Sequence, residues 1–419
     1  MSGEVSGHLP CPADEILRLR VQNDRVFGGG IPDYSRVATS QVRPQIGTPA
    51  TPAILSPQAK NLVLIAERLT RRILLAEVSR VTRGVVVHDS GGNELTVIGW
   101  LMEGDPALRW QALRDLTDAP EREVAAERAR VATEGAGAQV LAQQAADGTW
   151  GGLAWNPGFN STMHALWLLW QLGLDPASPQ AQQALRRVRE QVTWRGSGPE
   201  ECDDNPYFVG EIEPCINGQV AAAAAYFGQD VHALMQRLLG EQLADGGWNC
   251  EAEFGSTRSS FNTTICVLEG LLAYERALGP NPEVKAARLR GQEYLLERRL
   301  MRRLSTGEII TRDRQSGTEW AQFAFPAWWS YDVLRGLDYL RDAGVTPDER
   351  LEEAIILVGA KQQPDGRWLL DAEHPGTMLV TLDAGIGQPS RWNTLRALRV
   401  LRWAEQAGTD TVALRPEER

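Results

Sequence analysis

The sequence predicts an all-α protein: about five to six helical hairpins joined by short loops and closed into a ring. Two observations predict it. A loop motif recurs three times in register, and the apolar-periodic helices that follow those loops align with one another. The copies are Gln144-Ala-Ala-Asp147-Gly148-Thr-Trp150, Gln242-Leu-Ala-Asp245-Gly246-Gly-Trp248 and Gln362-Gln-Pro-Asp365-Gly366-Arg-Trp368, with Gln six, Asp three and Gly two residues before Trp. Asp-Gly supplies the turn that ends a helix, because Gly tolerates positive φ. The turned chain returns the Trp ring to the helix it has just left. There the Gln amide can lie on the indole face while its polar atoms bond neighbouring backbone.

Residues 1–95 read as a separate, partly disordered extension. They carry 11 Lys/Arg and 9 Asp/Glu, whereas residues 96–419 carry 32 and 45. Gly28-Gly-Gly30 and the Pro/Ser/Thr-rich stretch from Arg43 to Pro57 are loop-like. Lys60 to Arg83 has helical spacing, and Val85 to Gly92 suggests a short strand and turn. The repeat region spans 96–406, opens with a leading helix from Trp100 to Leu116, and leaves 407–419 as a tail.

Helices after the loops share Thr two residues, and Leu six residues, after a common start. They begin at Asn160, Asn262 and Trp392; Trp328 fits with Ser330 for Thr, and Cys215 fits loosely. The face offset from Thr and Leu varies between copies: Asn160/His164/Trp167, Cys215/Gln219, Asn262/Cys266/Glu269, Trp328/Asp332/Arg335 and Trp392/Arg396/Arg399. Residues one turn apart share a helix face, and this face is read as lining a central cavity. The competing reading is an outer ring of helices with solvated charges.

Composition narrows the partners. The chain has 419 residues, 43 Lys+Arg against 54 Asp+Glu, and a net charge of −11. An acidic balance without a basic run argues against nucleic acid. Five cysteines (Cys11, Cys202, Cys215, Cys250, Cys266) form no CxxC pair, which fits free thiols in a reducing compartment. The start, Met1 to His8, has neither a cationic region nor an apolar run of signal length. These features place the protein in the cytoplasm.

The Gln-x5-Trp loops between paired helices resemble the repeats of the terpenoid cyclase and protein prenyltransferase superfamily, which includes squalene–hopene cyclase. The resemblance covers roughly residues 96–406 and implies an (α/α) toroid whose inner helices enclose an isoprenoid-binding cavity, for a prenyl diphosphate or a polyprene. It also allows peripheral membrane contact, although the repeat region shows no amphipathic basic anchor. His164, Trp167, Phe261, Asn262, Trp328, Trp329, Tyr331, Asp332, Trp392 and Arg396 are then the substrate-binding candidates.

Two reactions fit the resemblance. In class II cyclisation a protonated carboxylic acid, activated by neighbouring carboxylates, protonates an alkene or epoxide, and aromatic faces stabilise the carbocations. The family's Asp-x-Asp-Asp loop has its nearest match in Glu201-Cys-Asp203-Asp204, making Asp203 the donor with Asp204 and Glu201 beside it. An acidic loop of this length also reads as a solvated turn. In zinc-dependent prenyl transfer the family holds the metal with Asp-x-Cys and a His. Glu213-Pro-Cys215 resembles the first element, and Ser260-Phe-Asn262-Thr the second, with Asn for His and His164 as a substitute. Protein prenylation in that family also takes an α-subunit partner. Zinc or magnesium is the metal these readings imply; no cofactor is demanded by the residues alone. A third reading is a non-catalytic toroid that binds a lipid or peptide.

Overall fold

The computed structural model describes residues 86–88, 94–312 and 319–413. Almost all of the extension therefore lies outside the described residues, and with it the expected disorder, loops and helix of residues 1–85. Two short strands from that region are described: β1 (Val86–His88) pairs antiparallel with β2 (Glu94–Thr96), Val86 opposite Thr96.

The rest is mostly helical. In chain order the helices are α1 (Val97–Met102), α2 (Pro106–Leu116), α3 (Glu121–Ala129), α4 (Gly135–Ala142), α5 (Thr162–Leu172), α6 (Pro179–Gln191), α7 (Pro214–Tyr226), α8 (His232–Gly240), α9 (Phe261–Leu278), α10 (Pro282–Glu297), α11 (Val333–Asp342), α12 (Glu352–Ala360) and α13 (Arg391–Ala413). A two-residue pair, β3 (Trp368–Leu369) with β4 (Pro389–Ser390), precedes α13. The single leading helix expected from Trp100 to Leu116 is broken into α1 and α2. Asp105 caps α2 by accepting from Ala107 N (2.8 Å), and Pro106 follows at its first position. The expected tail at 407 instead continues α13 to Ala413.

The three loops are built alike. Each Trp Nε1 donates to a carbonyl ten residues back: Trp150 to Val140 (2.7 Å), Trp248 to Leu238 (2.7 Å) and Trp368 to Val358 (2.8 Å). Each Trp backbone N donates to the hydroxyl of the aligned Thr in the following helix: Thr162 (3.2 Å), Thr264 (3.0 Å) and Thr394 (2.9 Å). The Gln amide acts as a clip. Gln144 Nε2 bonds the carbonyls of Gly148 and Ala184, and Gln242 Nε2 those of Gly246 and Ala287, joining these two loops to the second helix after each, α6 and α10. Gly148, Gly246 and Gly366 take φ of 84°, 94° and 82°, so a Cβ there is strained. All three indoles are fully buried.

Helix contacts link α4 through to α10, and α11 to α13, and the last helix returns to the start. α5 packs on α4 and α7, α7 on α5, α8 and α9, and α9 on α7 and α10; α13 packs on α11, on α12 and back on α2. The α7–α9 contact is the closest. A Cβ on Gly218 would stand 2.6 Å from the Cys266 carbonyl, and one on Gly270 2.7 Å from the Gly218 carbonyl, so the backbones meet directly. Among the described residues no helix is long and apolar enough to cross a membrane.

Candidate metal centre and the charged interior

Three residues from two elements converge. Glu213 is the N-cap of α7, Pro214 opens the helix and Cys215 follows. Cys250 lies two residues beyond the anchored Trp248. Asn249 caps the short 3-10 turn Cys250–Ala252 through Glu251 N (3.0 Å), and Cys250 N bonds Thr263 Oγ1 (3.3 Å) on α9. Cys250 Sγ lies 2.8 Å from Cys215 Sγ, and Cys215 Sγ lies 3.7 Å from Glu213 Oε2. One ligand atom from each of the three falls within 4.8 Å of the others, and all three residues are half-buried.

The donor set can be tested against zinc. Zinc–sulfur and zinc–oxygen bonds of about 2.3 Å and 2.0 Å put two tetrahedral sulfurs about 3.7 Å apart and a sulfur and an oxygen about 3.5 Å apart. The Cys215–Glu213 separation matches, and the two sulfurs need to spread by about 1 Å, which one side-chain rotation supplies. Thiolate and carboxylate donors suit zinc better than magnesium, which prefers oxygen. The hydrogen bond with Cys250, burial and the nearby Glu213 charge push the Cys215 thiol well above its ordinary range. A divalent cation reverses that electrostatics by stabilising the thiolate.

The third candidate ligand is Cys250, which the sequence pattern did not point to. Asn262 is not free to ligate: its Oδ1 accepts from Tyr331 N (2.8 Å). His164 does not join the cluster either. It is 1% exposed, its Nδ1 lies 2.7 Å from Ser161 Oγ, and its ring meets Phe159 and Trp328 edge-on. Burial lowers its pKa to about 3. The signal that could have found Cys250 is its place just after a loop Trp, where the backbone is held on both sides.

No known protein family matches this chain, and no curated protein matches it in sequence.

The carboxylates of the acidic loop stand apart from this centre. Glu201 and Asp204 are exposed, on and just after the 3-10 turn Glu200–Cys202. Asp203 Oδ1 accepts from Gly196 N (3.1 Å), and Asp204 pairs with Arg195 at 2.5 Å, with side chains 89% and 72% exposed. A class II acid needs burial to stay protonated. This turn is solvated, so the expected proton donor lacks the environment its chemistry requires.

The varied helix faces are buried rather than solvated. Asp332 is 4% and Arg396 5% exposed, and Trp167, Gln219, Asn262, Cys266, Arg335 and Trp392 are buried with them. Arg335 makes a two-pronged pair with Glu269 (2.7 and 2.8 Å) and donates to the carbonyls of Trp328 and Ser330. Arg396 donates to the Ala324 carbonyl (3.0 Å), with Asp332 and Asp338 carboxylates 3.9 and 3.7 Å away. Burial raises the Asp332 carboxyl, against the pull of Arg396.

Two expectations fail here. The alignment placed Trp328 at a helix start, but α11 begins at Val333, with Asp332 as its cap (Arg335 N, 2.7 Å). Trp328 sits in the preceding loop at φ 48°, stacked 5.4 Å from Phe159 at φ 59°. The space between Trp167, Glu269, Phe325, Arg335, Asp338 and Arg396, where the varied faces meet, is about 30 Å³, well short of the expected chamber. That holds about two waters, where ligand sites offer roughly 300 Å³ or more. The remaining aromatic candidates are wall packing. Trp392 stacks on Phe325 (4.3 Å), Phe261 touches Trp320 and Tyr331, the Tyr331 hydroxyl donates to the Leu300 carbonyl, and Trp329 is half-buried against the core.

Proposed function

We propose that this chain is an (α/α) toroid related to the terpenoid cyclases and protein prenyltransferases, and that it works as a zinc-dependent transferase placing a prenyl group on a thiol. The toroid reading is supported by the three like-built loops and by the return of the helix contacts from α13 to α2. The reaction reading is carried by one observation, the convergence of Glu213, Cys215 and Cys250.

Those three residues would hold zinc through two thiolates and one carboxylate. Zinc supplies the positive charge that keeps a substrate thiol ionised near neutral pH. The chain's own residues set the frame. Glu213, as N-cap, puts its carboxylate at the positive end of α7. Thr263 orients Cys250 through its backbone N and approaches its Sγ at 3.4 Å. The thiolate would displace diphosphate from a prenyl diphosphate, forming a thioether. Phe159 and Trp328, stacked 5.4 Å apart, would offer aromatic faces to the isoprenoid tail. Both hold positive φ, a backbone state that bulky side chains keep only under constraint.

Elemental analysis of the purified protein tests the reading. About one equivalent of zinc is expected, lost in Cys215→Ser and in Cys250→Ser. Farnesyl or geranylgeranyl diphosphate with small thiol peptides should then give thioether products with wild type alone. Wild-type protein as metal-poor as Cys250→Ser would end the proposal.

A further inference from the structure

A cavity along α13 has none of the three metal candidates in its lining and has a different chemistry. Its volume is about 380 Å³, and it is lined by Arg114, Asp115, Arg341, Arg399, Arg402 and Trp403, with Thr117 and Gln406 completing the wall. That volume is in the range of small-molecule sites, roughly 300–1,000 Å³. Four guanidinium groups share the wall with one carboxylate.

Most of the arginines are held in place by carboxylates behind or beside the cavity. Arg114 grips Asp115 with two bonds (2.6 and 2.9 Å). Arg399 makes a two-pronged pair with Asp338 and reaches Asp115 Oδ2 at 3.4 Å. Arg341 donates to Asp338 (3.1 Å) and lies 3.7 Å from Asp342, which Arg276 also engages at 2.6 Å. With Arg396, 3.7 Å from Asp338 and also beside Asp332, five guanidinium groups answer Asp115, Asp338 and Asp342, and Arg402 stands beside them as a sixth. The surplus is localised at Arg402. It spends one donor on the Asp115 carbonyl (3.2 Å) and makes no ion pair among the described residues. Burial alone would raise the Asp115 carboxyl, yet Arg114 and Arg399 hold it below its ordinary value. The charges of Arg399 and Arg341 likewise hold the buried Asp338 carboxyl below its ordinary value, so neither carboxylate takes up the cavity's positive charge by protonation at neutral pH.

Complementing helix C-termini accounts for one or two basic side chains at such a place. It does not account for a cavity of ligand size walled by four guanidinium groups. Guanidinium donors are planar forks that match phosphate oxygens, and Trp403 adds an apolar wall anchored by its Nε1 bond to the Val345 carbonyl (3.0 Å).

We infer that the cavity between α2, α11 and α13 binds a phosphate-bearing ligand, with Arg402 and Arg114 as its principal contacts. The ligand is a small organic phosphate or the headgroup of an anionic lipid, and the two share the chemistry the cavity recognises. This site does not depend on the metal centre.

Titration calorimetry of the full chain with inorganic pyrophosphate and with ADP, alongside flotation with phosphatidylglycerol vesicles, tests the inference. Saturable binding of either soluble phosphate is expected, weakened about tenfold or more in Arg402→Gln, the scale of one lost charge-assisted bond. Arg114→Gln serves as a second variant, and circular dichroism confirms that both remain folded. Binding to vesicles alone, weakened by the same substitutions, assigns the lipid source. Absence of binding in both arms, or binding unchanged by both substitutions, overturns the inference. Zinc content should be the same in wild type and Arg402→Gln, so failure here is distinct from failure of the metal centre.

Discussion

His164 sits where the chain has removed its water. The ring is buried between Phe159, Trp328 and Ser161, and its pKa falls from 6.5 to about 3 because burial penalises the charged form. The unfolded chain takes a proton below about pH 6.5 while the folded chain does not, so stability present above that pH is lost as pH falls toward 3. Asp383 works in the opposite sense. Burial raises its carboxyl to about 6, so the folded state binds a proton first and recovers stability as pH falls from about 6 toward 4. Substitution isolates the histidine. The urea midpoint of His164→Phe should fall less than that of wild type between about pH 6.5 and pH 4; parallel falls would show that His164 is not held neutral. Among residues, the inward set was legible because a polar face repeated at a fixed offset from the Thr and Leu positions. Cys250 was not: its approach to Cys215 depends on how one loop leans toward a helix that lacks the loop motif.

Elements that repeat were read best, because Gln, Asp-Gly, Trp and the following Thr each satisfy a local hydrogen bond that any copy must satisfy. The segment 323–332 obeys no such rule. Its Trp328 and Ser330, with Leu334 just beyond, mimic the helix spacing, but the chain stays irregular until Asp332 caps α11. Arg335 then holds the irregular stretch down through two of its carbonyls. This makes the Glu269–Arg335 pair a structural clamp between α9 and α11, with side chains 11% and 4% exposed. Removing one partner from a buried pair leaves a charge without compensation, at a cost of about 3–5 kcal/mol, whereas an apolar pair of similar volume is often tolerated. Glu269→Gln should therefore lose more stability in denaturant than the double variant Glu269→Leu/Arg335→Met. A double variant at least as damaged as the single one would mean the stretch is held by packing alone.

At the scale of the molecule, the decisive contact is that between the last helix and the first. Arg399 on α13 reaches Gln111 and Asp115 on α2, Arg402 bonds the Asp115 carbonyl, and Arg391 Nε donates to the Trp100 carbonyl of α1. An open stack of hairpins loses stability only beside the cut, because each unit depends on its neighbours. Here α2 is a neighbour of α13 in space despite lying at the far end of the described helices. A chain ending at Ser390 should lose amide protection in α2 as well as in α11 and α12, while α7 and α9, which bury each other's backbones, keep most of theirs. Hydrogen exchange read by mass spectrometry separates the cases. Protection in α2 that survives the truncation, with loss confined to α11 and α12, would mean that the two ends stand independently and that no closed ring is needed to hold them.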